Sequence, residues 1–147
     1  MTRRWLALTL AVVLTACGRP GRDDVEVTPS FQAWDVYLDV RDAPLSAWQV
    51  ELSSHDEGLQ IVGVEGGEHP GFHSPPFYDP AALAGGRLAL AAFDTSGGLP
   101  KGEHRIATLH VRRAGGPDAV QLALPVAAGR EGQPVSAHAT LRARLEE

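Results

Sequence analysis

The chain has 147 residues, with 13 Lys and Arg against 18 Asp and Glu, a formal net charge of −5, and a single Cys. That balance excludes the broad basic face that nucleic-acid phosphates require, and one cysteine excludes a disulfide within the chain. The length suits one domain with a core of its own.

Arg3 and Arg4 precede an apolar run over 5–14, and small residues follow it. A basic start, about ten apolar residues and a small-residue end describe a secretory signal. The run is too short for a permanent transmembrane helix, which needs about 20 apolar residues. Leu14-Thr15-Ala16-Cys17 then resembles the bacterial lipobox. The resemblance implies cleavage after residue 16 and acylation of Cys17, which becomes the new N-terminus. It would explain the odd cysteine, and acyl chains supply membrane affinity at about 0.8 kcal/mol per buried CH₂. Residues 1–16 are thus expected to be a signal peptide and 17–30 a lipidated Cys with a short polar tether. Residues 31–147 are expected to form the folded domain. Without Arg3 and Arg4, the mature part has 11 basic against 18 acidic residues. Such a surface suits a domain that stands off anionic lipid on its anchor. Gly18, rather than Asp, follows Cys17, which favours the outer over the inner membrane of a two-membrane envelope.

The domain itself reads in twos. Over 34–40 the even residues are apolar and the odd ones mostly polar, the pattern of a half-buried strand. A turn at 42–45 leads to Trp48, Val50 and Leu52 on one phase, and 55–58 turns again. The next strand begins at Leu59 and slips phase at Val62-Gly63, where a bulge is predicted. Residues 66–86 form a long Gly/Pro-rich connection. Within it, Asp79-Pro80 and Gly85 bracket one helical turn. Leu88, Leu90 and Ala92 mark a fourth strand, and Ile106, Leu109 and Val111 a fifth. Val120, Leu122, Leu124 and Val126 are expected to face inward from a sixth, with Pro125 placing that strand at an edge. Ala137 to Leu145 alternate with His138, Thr140, Arg142 and Arg144, predicting a seventh strand over the competing helix. Seven strands with one apolar face each predict an all-β, two-sheet antiparallel sandwich. Trp34 and Trp48 fall on the inward phase.

The order of these pieces is similar to that of cohesin-like β-sandwich modules. The similarity rests on Val36–Val40, Leu45–Leu52, the Val/Gly-rich LQIVGVEGG at 59–67, and the Gly-led strand from Gly102 to Val111. Ser53-Ser54-His55-Asp56 departs from the family's pattern at the end of the second strand. The resemblance implies a jelly-roll sandwich that binds protein or carbohydrate, a partner class shared with carbohydrate-binding modules, and performs no chemistry.

The candidate binding loop is 66–80, with His69, Phe72, His73, Phe77 and Tyr78. Aromatics on a Pro-rich loop suit sugar stacking or a protein partner; the alternative is that they fold back to cap one end of the sandwich. His69 and His73, with Asp79, Glu65 and Glu68 near in sequence, are weak candidates for a metal site, because Pro70 and Gly71 oppose a helix that would align the two rings. No serine sits in G-x-S-x-G, and no phosphate-binding glycine motif occurs. The expectation is therefore a non-catalytic envelope protein with no cofactor. The alternatives are a structural envelope lipoprotein without a discrete ligand, or a metal-binding periplasmic protein using His69 and His73.

Overall fold

A computed structural model describes residues 30–56, 58–113 and 116–145. The expected signal peptide, Cys17 and the expected tether up to residue 29 lie outside the described residues. Strands form at all seven places where apolar and polar residues alternate: β1 Ser30–Val40, β2 Ala47–Ser54, β3 Gln60–Gly66, β4 Arg87–Phe93, β5 Gly102–Arg113, β6 Val120–Ala128 and β7 Ala137–Ala143. They make two sheets, β3-β5-β1-β7 and β4-β2-β6, and every pairing is antiparallel. The all-β sandwich is thus as expected, and β7 is strand rather than helix. β1 starts four residues earlier than its alternation, at Ser30.

Consecutive strands never share a sheet: odd-numbered strands build the four-stranded sheet and even-numbered strands the three-stranded one. Each connection is therefore an arch between layers, and no hairpin occurs among the described residues. The core between the layers takes Trp34, Val36, Leu38 and Val40 from β1, and Trp48, Val50 and Leu52 from β2. It also takes Leu88 and Leu90 from β4 and Leu109 and Val111 from β5. Both tryptophans are buried on inward-facing positions, as predicted. The Trp34 indole N–H donates to Gln32 Oε1 at 3.1 Å.

Among the described residues, three bulges reset the phase. In β3, Val62 is the extra residue between Ile61↔Val111 and Gly63↔His110, at the predicted slip. In β5, Ile106 is extra against β1, between Ala107↔Val36 and Arg105↔Tyr37. That explains why the inward set Ile106, Leu109, Val111 contains an odd step. In β6, Leu124 and Pro125 together face Val50, between Val126↔Gln49 and Ala123↔Glu51. Pro125 lies on an edge strand, where its missing N–H breaks no ladder. After this bulge Ala127 packs on the core and Val126 turns outward, 40% exposed. The expectation that Val126 faces inward is corrected: the bulge shifts the phase by one residue.

Candidate functional site

The connection from β3 to β4 is pressed against the sandwich at its start. A Cβ at Gly66 would lie 1.9 Å from the His73 carbonyl oxygen, and one at Gly67 would lie 2.4 Å from the Arg105 carbonyl oxygen. Only glycine allows this approach. A 3₁₀ turn follows at Pro70–Phe72, and a second at Pro80–Ala84. The second is the helical turn foreseen in the sequence: the Asp79 carboxylate accepts from the Ala81 N–H at 2.9 Å, Pro80 opens it and Gly85 closes it.

The structure divides the five loop residues singled out above. Phe72 belongs to the core: it is buried, and its ring lies 6.1 Å from that of Trp48. Its place among the candidate binding residues is corrected, because the Pro70 turn folds it inward. Tyr78 is half-buried and packs on the core. His69 caps the first turn, its Nδ1 accepting from the Gly71 N–H at 3.2 Å. His73 is exposed. Phe77 is also exposed, at 70%.

The metal-site residues are spoken for individually. Glu65 pairs with His110 at 2.9 Å, and Glu68 accepts from the Arg105 N–H at 3.3 Å. Asp79 and His69 are N-caps. Among the described residues, no three His, Cys, Asp or Glu side chains gather where they could hold one ion.

Phe77 is positioned by backbone. Its N–H donates to the Ala91 carbonyl at 2.7 Å, and its carbonyl accepts from the Ala91 N–H at 3.0 Å. The segment thus adds one bridge to the free edge of β4. Residues paired across strands share a face, as do residues two apart along a strand. Phe77, Ala91 and Phe93 therefore lie together on the outer face of the three-stranded sheet. Phe93 is 65% exposed, and its ring is nearly parallel to that of Phe77, 11° between planes and 6.1 Å between centroids.

The residue after Phe93 fixes the far side of the pair. The Asp94 carboxylate accepts from the Ser96 hydroxyl at 2.6 Å and from the N–H groups of Ser96, Gly97 and Gly98. The Ser96 hydroxyl, then the Ser96 and Gly98 amides, hold this carboxyl well below the usual carboxylate range. Beside the aromatic pair runs a polar row. Gln49 donates to Glu51 Oε1 at 3.1 Å, and Arg87 donates to Glu51 Oε2 at 2.5 Å. Glu51, Ser53, Arg87 and Gln121 line a shallow open depression of about 290 Å³ on the same sheet.

The four-stranded sheet differs on its outer face. Asp35 is buried there, accepting from Thr108 at 2.8 Å and from Arg144 Nε at 3.1 Å and Nη2 at 2.5 Å. Arg105 also donates to Thr108, at 2.8 Å. Burial would raise the Asp35 carboxyl, but the Arg144 guanidinium and the Thr108 hydroxyl outweigh it and hold it below its ordinary value. Arg142 lies 4.6 Å above the Tyr37 ring and makes two hydrogen bonds to Glu103. These are structural pairs with their donors and acceptors matched to one another.

Phe93 ends the fourth strand and is not among the candidate binding residues read from the sequence. The signal was present: a large aromatic on the wet phase of Leu88, Leu90 and Ala92. Comparison with protein-family models, with curated proteins and with solved structures gave no match.

Proposed function

We propose that this chain is an exported envelope protein, tied to a membrane by lipid on Cys17, whose sandwich is a non-catalytic recognition module. The observation that carries the reading is the Phe77–Phe93 pair: two exposed, nearly parallel rings held by paired backbone and by the Asp94 turn. Exposed large aromatics in a fixed arrangement are ready to bind, because little ordering entropy remains to be lost. Their neighbours favour carbohydrate as the partner. Alanine side chains leave the rings standing clear, and the Gln49–Glu51–Arg87 row supplies donors and acceptors for hydroxyl groups. The cohesin-like order of the sequence supports a binding role of the same kind.

The test is migration of the purified protein through gels containing envelope or capsular polysaccharides. Wild type is expected to be retarded by at least one of them, and the double variant Phe77→Ala, Phe93→Ala to run freely. Retardation that survives the double substitution would remove the aromatic pair from the reading. A protein that crosslinks to this face and is lost in the double variant would replace the glycan with a protein partner.

A further inference from the structure

The exposed apolar side chains do not scatter. Among the described residues the large ones are Phe31, Val62, Phe77, Phe93, Val126 and Leu145. Phe77, Phe93 and Val126 lie toward the end of the sandwich where β2 begins, since Ala47 pairs with Phe93 and Ala128, and Gln49 with Val126. The other three lie at the opposite end. β1 starts there, with Phe31 paired to Arg112, and Gln60 of β3 paired to the same Arg112. β7 ends there, with the Arg144 N–H donating to the Ala33 carbonyl.

Phe31 is 68% exposed, Val62 47% and Leu145 87%. Phe31 and Val62 line an open depression of about 600 Å³ together with Gly63, His110 and Arg144. Burying exposed apolar side chains in another phase is favourable at about 25 cal/mol per Å². The buried Asp35 carboxylate nearby is paired with the Arg144 guanidinium. Arg112 adds a cation beside Phe31. Asp56 and Asp118 stand in the connections at the same end, so apolar burial and not net charge supplies the attraction.

Twelve residues lie between Cys17 and Ser30, the first residue of β1, so thirteen Cα steps join the two. Fully extended, they reach at most about 45 Å. Any bilayer holding Cys17 is therefore within reach of this end first.

We infer that the Phe31–Val62–Leu145 end of the sandwich docks on the bilayer surface, seating its apolar side chains at the boundary of headgroups and acyl chains. The inference rests on the lipid anchor at Cys17. Docking there would turn the Phe77–Phe93 face away from the membrane, toward its partner. It also replaces the expectation, drawn from net charge, of a domain that merely stands off the lipid.

The experiment uses the full acylated protein in vesicles of phosphatidylethanolamine and phosphatidylglycerol. An environment-sensitive dye is placed on a new cysteine at exposed Gln60, or at exposed Thr95 near the other end, and quenched by brominated lipid. Quenching at Gln60→Cys is expected to exceed that at Thr95→Cys several-fold. Adding Phe31→Asp and Val62→Asp is expected to abolish the contrast while the protein still floats with the vesicles. Flotation with equal quenching at the two positions would overturn the docking and leave the anchor standing. Loss of flotation in wild type would overturn the anchor, and the docking with it. A contrast that rises with protein density and ignores the lipid would assign the patch to a second copy and overturn the inference.

Discussion

One row of outward side chains crosses each sheet. On the four-stranded sheet it reads Glu65, Thr108, Asp35, Arg142; on the three-stranded sheet, with the loop bridge included, it reads Phe77, Ala91, Gln49, Val126. In the first row every member is charged or hydroxylated and finds its partner within the molecule. In the second, Phe77 is 70% exposed and Val126 40%. The first row spends its polarity on holding the sheet together. The second leaves apolar surface exposed. The same architecture thus separates a face whose polar groups pair with one another from the face proposed to bind.

Substitutions can sharpen that contrast. The largest effect is expected inside the loop. Phe72→Ala empties a core site against Trp48 and should lower unfolding stability by about 3–5 kcal/mol in urea titration. Asp35→Ala should rank next, at about 2 kcal/mol, because it strands the hydrogen-bonding groups of Arg144 and Thr108. A loss as small as that of an ordinary surface substitution would break the assignment of this face to stability.

The same carboxylate sets a pH dependence. Its folded value is depressed, so its contribution is fully present above the ordinary Asp range, about pH 4, and is lost as pH falls through the folded value. Wild type should lose stability relative to Asp35→Asn on acidification below about pH 4. Parallel acid profiles for the two proteins would show that the pair carries no linkage. The smallest stability effect belongs to the other face. Phe77→Ala and Phe93→Ala should each shift unfolding by no more than about 0.5 kcal/mol, while polysaccharide retention disappears.

How much of this was legible before the structure follows from what periodicity records. A two-residue rhythm tells inside from outside on one strand, so the seven strands, the sandwich and both buried tryptophans could be read. Val62-Gly63 announced its bulge because a glycine interrupts the rhythm. The bulge at Leu124-Pro125 moved Val126 outward, and apolar identity alone could not tell which side of it would hold. Strand order was not legible, since each arch passes to the other sheet and leaves no tight-turn signature. In the loop, composition grouped Phe72 with Phe77. Only the Pro70 turn and the Ala91 bridge decide that one ring enters the core and the other stays outside. Phe93 joins Phe77 through the Phe77–Ala91 bridge, fourteen positions apart in the chain, which no local pattern encodes.

A photo-crosslinking residue placed in living cells at Val126 on the three-stranded face, and separately at Glu65 on the four-stranded face, tests the division of labour most directly. The account expects adducts from Val126, their loss when Phe77 and Phe93 are both alanine, and none from Glu65. Adducts from Glu65 that persist in that double variant, with none from Val126, would contradict it.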